Sequence, residues 1–424
     1  MKRSVALLLA FALHALIPFA ADAQDARSLF SELNDRIYQI RIIERSTGKQ
    51  AEIGSGFLVS ADGLVVTNFH VVAAYAEAPD RYYVEFVRIN GESGPLDVIN
   101  FDVVNDLALL KRADPPGYFL ELGDALPAQG EAIYSIGNPH DLGWTVVPGT
   151  YNGITAHSAY ERIHFSGSVN PGMSGGPVLN ANGRVIGVNV ATAGNQLSFL
   201  IPLNRLSGFL ARAAGTVLTP GDFDSAITAQ LEENQRTLLG ALIDSEWGST
   251  EFGRASVPRE ISTFIKCWGY VDDDPEIEYQ HSATTCNSED QIYLSHDFNT
   301  GNIVYQFNWL ESVRLNSFQF YNMLREKIAN TYPDNDAGKS DVTNFSCVDD
   351  FVNTRAKSGA TIVTKMTFCV REYRRYRGIY DVLYFGISVH DGRSSLISHF
   401  TMAGVVPEYA QRFLGKFIGS IAWK

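Results

Sequence analysis

Charge is scarce in this chain. Of its 424 residues only 19% are Asp, Glu, Lys or Arg, and 47 acidic residues against 34 basic ones leave a net charge of −13. So little charge beside 45% hydrophobic residues excludes an extended disordered chain. The acidic balance excludes a basic surface for nucleic acid phosphates, so nucleic acid is not expected as a partner. Cysteine is absent from the first half, and the four present, Cys267, Cys286, Cys347 and Cys369, contain no Cys-x-x-Cys pair. Their wide spacing argues against a zinc site. Beyond residue 23 no apolar run has the length and character of a membrane-spanning helix, and no internal repeat or low-complexity tract stands out. What remains is enough apolar material for two or three packed domains.

The first 23 residues stand apart. Lys2 and Arg3 precede an uncharged run from Val5 to Ala21, followed by the small-x-small site Ala21-Asp22-Ala23. This is the pattern of a cleaved signal peptide. A membrane anchor is the competing reading, but the run is short and contains His14 and Pro18. Export to a periplasmic or extracellular compartment, with no membrane span left after cleavage, is therefore expected, and an oxidising compartment makes disulfides the default for the cysteines. Four cysteines allow three connectivities. Cys347–Thr354 and Ala360–Val370 are strand-like and joined by Arg355-Ala356-Lys357-Ser358-Gly359, as in a hairpin, which favours pairing 347 with 369 and 267 with 286.

From Ile37 to Pro202 the chain consists of short β-branched and aromatic runs broken by glycine turns, among them Ile53–Val59, Leu64–Asn68, Tyr82–Arg88, Leu107–Lys111, Ala132–Gly137 and Arg184–Val190. Many short strands with little helix imply a sandwich or a barrel. Leu203–Ala214 has an apolar helical face, and the Gly and Pro punctuation after it places a linker at 213–224. Residues 225–424 mix an amphipathic helix at Ser225–Ile243, helices near 315–331 and 407–420, and alternating strands such as Asp381–His390 and Leu396–Met402. That pattern predicts a separate α+β domain with an antiparallel sheet.

Three segments of the first half converge on one reaction. In Asn170-Pro171-Gly172-Met173-Ser174-Gly175-Gly176-Pro177-Val178 a serine sits in a glycine turn. A serine hydroxyl is a poor nucleophile unless a base takes its proton and donors stabilise the charge on the attacked carbonyl. Gly172 permits a tight turn in which the N–H groups of Gly172 and Ser174 point into one oxyanion hole, and Gly175 and Gly176 are expected to leave room for a substrate backbone. Thr67-Asn68-Phe69-His70-Val71-Val72 offers the base, His70, just after a strand. Asn105-Asp106-Leu107-Ala108-Leu109-Leu110 offers a carboxylate at the mouth of an apolar strand, where it needs a partner such as an imidazole N–H. Asp102 competes for that role. Asp106 is preferred because it abuts the buried strand, whereas Asp102 lies in a more polar approach.

The order His70, Asp106, Ser174 matches the chymotrypsin arrangement, not those of subtilisin or the α/β-hydrolases. The segments GSGFLVSADGLVVTNFHVV, NDLALLK, IGNPHDLGWTVVPG and NPGMSGGPVLNANGRVIGVN resemble the HtrA/Deg branch of trypsin-like serine proteases, over about residues 35–206. This resemblance implies an all-β, chymotrypsin-like double β-barrel protease domain at 24–212 with the triad in the cleft between the barrels. It also implies oxyanion donors at Gly172 and Ser174, and a primary pocket lined by Ser168 and by Val190 and Ala191 of the strand Gly187–Ala191. That lining is small and uncharged, so cleavage after small or medium apolar residues is expected, and not after Lys or Arg.

The departures are informative. Met173 stands where the family usually has a small polar residue, which puts oxyanion-hole order in question, and with no aspartate there trypsinogen-type activation is not expected. Residues 225–424 carry no glycine-rich carboxylate-binding loop and do not resemble a PDZ domain. His140, His157 and His164 fit no metal-ligand spacing and are read as surface or satisfied histidines. The sequence thus implies an exported serine endopeptidase acting on protein or peptide substrates, unfolded or damaged proteins among them, without metal or organic cofactor. The competing reading is a latent or inactive protease fold whose C-terminal domain binds a partner or envelope component. An esterase or acyl transferase using the same triad is a minor third. Oligomeric state is not legible.

Overall fold

The computed structural model describes residues 26–194, 197–272, 278–329, 335, 337–389 and 391–424. The signal-peptide expectation for residues 1–23 lies outside them. A short helix α1 (Ala26–Leu33) leads into the first barrel, whose strands are β1 (Ile37–Glu44), β2 (Gln50–Leu58), β3 (Leu64–Thr67), β4 (Tyr82–Val87), β5 (Ser93–Asp102) and β6 (Leu107–Arg112), with helix α2 (Phe69–Glu77) between β3 and β4. They close in the order β1-β2-β3-β6-β5-β4. The second barrel comprises β7 (Ala132–Gly137), β8 (Thr145–Ile154), β9 (Ile163–Phe165), β10 (Pro177–Asn180), β11 (Val185–Gly194) and β12 (Leu197–Pro202), closed in the order β10-β11-β12-β9-β8-β7. Closure leaves no unpaired strand edge, and strands of three to ten residues fill each interior. This is the chymotrypsin-like double barrel expected from the sequence. Helix α3 (Leu203–Ala213) packs back through Leu206 and Phe209 onto the core between the barrels.

The C-terminal half is α+β, as the alternation predicts. After α4 (Phe223–Asn234), a π turn at 235–239 and α5 (Gly240–Asp244), a short sheet forms from β13 (Ser249–Phe252) and β14 (Ala255–Pro258). The main sheet draws on β15 (Ile265–Asp272), β16 (Tyr279–Ser288), β19 (Ile303–Ser312), β20 (Ser346–Arg355), β21 (Thr361–Glu372), β22 (Tyr380–Val389) and β23 (Ser394–Val405). It is antiparallel in the order β15-β16-β19-β23-β22-β21-β20, and a hairpin of β17 (Ile292–Ser295) and β18 (Phe298–Thr300) stands outside it. Helix α6 (Ser317–Ala329) covers one face through Phe320 and Leu324. Helix α7 (Pro407–Gly419) covers the other, where Phe413 and Phe417 meet Phe307, Tyr384 and Phe400, and β24 (Ala422–Trp423) then joins β14. Cys267 is bonded to Cys286 across the β15–β16 pair and Cys347 to Cys369 across β20–β21, each pair directly opposed in register.

The two halves share a core. Phe69, Val72, Ala73 and Ala76 of α2 pack with Phe223, Ile227 and Leu231 of α4, with Ile292 and Leu294 of β17, and with Tyr373, Tyr376 and Ile379. Burying such side chains contributes about 1.5–3 kcal/mol each, so this contact is far from a loose tether. Residues 213–224, read as a linker, lie against the first barrel: the Leu218 N–H donates to the Ile99 carbonyl, and Thr219 and Asp222 form a reciprocal cap ahead of α4. The sequence alone gave that segment only its punctuation, because nothing local to it encodes the surface on which it lies.

Candidate active site

Helix α2 starts immediately after β3, and His70 is its second residue. The first N–H groups of a helix have no acceptor within it. Asp106 supplies one: its Oδ1 accepts the His70 backbone N–H at 2.9 Å, and its Oδ2 pairs with the imidazole Nδ1 at 2.8 Å. One carboxylate therefore fixes both the helix start and the ring. With Nδ1–H facing a carboxylate, Nε2 is left bare to accept a proton. Asp106 lies in the left-handed region at φ 60°, which Asp tolerates better than most residues, and the Asn68 side-chain amide donates to its carbonyl at 2.8 Å. Burial favours the neutral form of the His70 ring, but the Asp106 carboxylate, with Glu52 beyond it, outweighs burial and holds the imidazole above its ordinary value of 6.5.

Asp102 is otherwise engaged. It accepts from the Arg212 guanidinium at 2.6 Å and from the backbone and side-chain amides of Asn105 at 2.9 and 2.8 Å. This is a polar setting, although Asp102 is only 6% exposed, against 9% for Asp106. What separates the two is the partner, not the burial.

Ser174 lies at the end of the 170–174 turn. Its Oγ donates to the Val190 carbonyl at 3.0 Å, and among the described residues no hydrogen bond joins it to His70. A rotation about Cα–Cβ between staggered positions would release the hydroxyl from the Val190 carbonyl. Such catalytic hydrogen bonds often form only once substrate is bound.

The N–H groups of Gly172 and Ser174 are held from behind. In a planar peptide the C=O and the following N–H point in opposite directions. The Pro171 carbonyl is taken by the His140 N–H at 2.9 Å, which directs the Gly172 N–H the other way. The Met173 carbonyl is taken by the Gly176 N–H at 3.0 Å and the Asn189 side-chain amide at 3.2 Å, which does the same for the Ser174 N–H. Among the described residues neither N–H has a protein acceptor. Ser55 of β2 clamps the turn from the first barrel. Its hydroxyl donates to the Gly172 carbonyl at 2.7 Å, its N–H donates to the Ser174 carbonyl at 2.7 Å, and its Oγ accepts the Asn138 N–H at 3.1 Å.

Gly172 adopts φ +94°, and a Cβ there would lie 2.5 Å from the Asn138 carbonyl oxygen. The expectation for Gly175 and Gly176 needs a different reason. A Cβ on Gly175 would lie 2.2 Å from the Thr67 hydroxyl, and one on Gly176 would lie 2.1 Å from the Ile136 carbonyl. These glycines make room for the protein's own strands, not for a substrate. Met173 is fully buried in the core of the second barrel among Ile133, Phe165, Val169 and Val178, so it anchors the turn by burial. Ser168 and Val190 are half-buried; the Val190 side chain packs toward the core between the barrels while its carbonyl faces Ser174. The side chain of Ala191 lies outside the described residues. His157 bonds the Thr263 carbonyl at 3.0 Å, joining the two halves, and His140 contributes its backbone.

Ser55, Asn189 and the 138–140 backbone are the site residues that sequence reading missed. Ser55 stands in the quoted segment GSGF, but only the register that brings β2 beside the turn gives it a task. Asn189, fully buried, also pairs with the Ser135 hydroxyl at 2.7 Å and the Ile136 carbonyl at 3.1 Å; a polar residue inside an apolar strand was the available signal.

Comparison with known proteins agrees with this geometry. Residues 54–188 match the family described as the trypsin-like peptidase domain. A probable periplasmic serine endoprotease, DegP-like, of Chlamydia pneumoniae is 31% identical over 272 residues, covering 59% of this chain and 53% of that protein. The mitochondrial serine protease HTRA2 of Bos taurus is 35% identical over 178 residues, 39% of this chain and 38% of that protein. A crystal structure of the serine endoprotease from Yersinia pestis aligns at a TM-score of 0.38 and 24% identity, over 44% of this chain and 65% of that one. The chain thus spans about half the length of the first relative and less of the second. The first half of this chain thus carries a trypsin-like peptidase domain in two closed barrels and is similar to HtrA- and DegP-named serine proteases.

Proposed function

We propose that the chain is an exported serine endopeptidase that hydrolyses peptide bonds of protein substrates through His70, Asp106 and Ser174. The observation that carries this reading is the pairing of His70 with Asp106, together with two backbone donors, Gly172 N–H and Ser174 N–H, that have no protein acceptor among the described residues. In the reaction, Ser174 Oγ turns from Val190 to His70 Nε2, gives up its proton and attacks the scissile carbonyl carbon. The oxyanion lies between the two N–H groups, and Asp106 stabilises the imidazolium without taking its proton. His70 then protonates the leaving amine, and a water activated by the same imidazole hydrolyses the acyl-enzyme.

Cleavage after small or medium apolar residues is expected from the uncharged Ser168 beside the site, since the Val190 side chain turns into the core. The organisation into a protease region at 24–212, a connecting segment and a C-terminal region at 225–424 remains part of this reading. Export accords with the leader-like residues 1–23 and the two disulfides, and with the periplasmic description of the Chlamydia relative. The test is hydrolysis of an unfolded protein such as casein by the wild type and by Ser174→Ala: loss of cleavage with the fold retained supports the reading, and unchanged cleavage removes Ser174 from the mechanism. A latent protease is the second reading, favoured by the Ser174 hydroxyl lying on the Val190 carbonyl; a wild type that cleaves no peptide would support it.

A further inference from the structure

The catalytic imidazole has a neighbour that comes from neither barrel. In β17, Ile292 and Leu294 are buried in the core shared with α2, and Tyr293, half-buried, packs against the edge of the same core. There its ring stands edge-on to His70, with centroids 5.8 Å apart and planes at 65°. The His70 side chain is 27% exposed, and Tyr293 borders what a substrate reaches. Burial, and the carboxylates of Glu52, Asp106, Glu77 and Asp297, push the Tyr293 phenol up to about 12, so it is neutral across the physiological range. Among the described residues its hydroxyl has no hydrogen-bond partner.

The strand carrying Tyr293 is fixed at several points. Asp290, just before it, accepts the Ser158 hydroxyl at 2.8 Å and the Ala159 N–H at 2.6 Å from the second barrel. Phe298 packs against the Tyr373 ring at 4.7 Å, and Thr300 bonds the Tyr373 hydroxyl at 2.8 Å. That hydroxyl donates in turn to the fully buried Asp381 at 2.6 Å. Arg375 pairs with Asp224 at 2.6 Å and reaches Glu77 at the end of α2. These contacts tie the hairpin that carries Tyr293 to the second barrel and to the rest of the C-terminal half.

A substrate has to lay its chain beside His70 to bring its carbonyl to Ser174, and any side chain directed at the imidazole meets the Tyr293 ring. We propose that Tyr293 is a specificity-determining residue of the protease, supplied by the C-terminal half: it walls the cleft beside His70 and excludes bulky side chains next to the cleaved residue. The inference rests on the reading of the chain as a protease and names what shapes its substrate choice. The catalytic unit is then both halves together.

The test uses the full chain with a peptide panel that holds the cleaved residue constant and places Ala, Leu, Phe or Trp at each position adjoining it. In the wild type, kcat/KM for Trp falls at least about tenfold below that for Ala at one of these positions, the size of effect one misfitting group produces. Tyr293→Ala brings the two within about threefold, mainly by raising the Trp value, while Tyr293→Phe keeps the wild-type discrimination. The same preparations are treated with a fluorophosphonate, which reads Ser174 reactivity without a peptide. A Tyr293→Ala protein with unchanged discrimination, or with uniform loss across the panel, overturns the inference while leaving the protease reading intact if labelling persists. A wild type that neither labels nor cleaves contradicts both.

Discussion

Replacing Gly172 with alanine probes the oxyanion hole most sharply. At φ +94° a side chain costs about 1–2 kcal/mol in conformational strain alone. The added Cβ would lie 2.5 Å from the Asn138 carbonyl oxygen and 3.0 Å from the His140 nitrogen, so the turn and the 138–140 loop must separate by about half an ångström or more. Those atoms adjoin the hydrogen bond from His140 to Pro171 that aims the Gly172 N–H. Relief of the clash therefore rotates the Pro171–Gly172 peptide and withdraws one oxyanion donor. Losing one such donor costs about 2.7–4 kcal/mol of transition-state stabilisation, or 10²–10³ in kcat. The assay is steady-state hydrolysis of a chromogenic peptide by Gly172→Ala, with urea unfolding to show that the fold persists. A folded Gly172→Ala enzyme within about threefold of wild-type kcat would refute the claim that this peptide plane supplies the hole.

Asp106→Asn places a neutral amide against Nδ1 and favours the wrong tautomer, so kcat falls about 10⁴-fold. Asp102→Asn loses the ion pair with Arg212, whose side chain is 63% exposed; it costs stability about 1 kcal/mol by urea unfolding and leaves peptide hydrolysis within a few-fold. Because Asp106 outweighs burial at His70, and only the neutral imidazole is a base, kcat/KM falls as pH drops through a midpoint above the ordinary 6.5; a pH profile with a midpoint below 6.5 contradicts this electrostatic account. His399, 4% exposed in the C-terminal sheet, is held by burial at about 4, below its ordinary 6.5. The unfolded chain then binds the extra proton first, so stability is full above about pH 6.5 and is lost as pH falls toward 4. Denaturant titrations of the wild type at about pH 7 and pH 4.5 should differ by about 2–3 kcal/mol more than those of His399→Gln.

The three residues proposed as the triad are each marked locally. Ser174 sits among glycines, His70 follows a strand end, and Asp106 stands at the mouth of an apolar strand. Double-barrel closure followed from strand density together with the family resemblance. Asp102 and Asp106 are told apart by their partners, and the one that occupies Asp102, Arg212, is 110 residues away in sequence. Gly175 and Gly176 were legible as glycines but not in their purpose, because the groups they admit, Thr67, Ser55 and Ile136, arrive from other strands. Ser55, Asn189 and Tyr293 show the same limit. Each acts on the site through register or docking between distant elements, and no period or motif in one segment encodes such a meeting. Met173 illustrates the converse. Read as a departure from a polar pattern, it suggested disorder of the hole, whereas burial among Ile133, Phe165 and Val178 makes it an anchor.

Intact-mass analysis of the purified chain after exposure to a fluorophosphonate tests the central claim most directly, because that reagent requires an activated serine and no knowledge of the substrate. The arrangement of His70, Asp106 and Ser174 around the two backbone donors predicts a single adduct on the wild type and none on Ser174→Ala. An unmodified wild type, or an adduct that persists in Ser174→Ala, would contradict it.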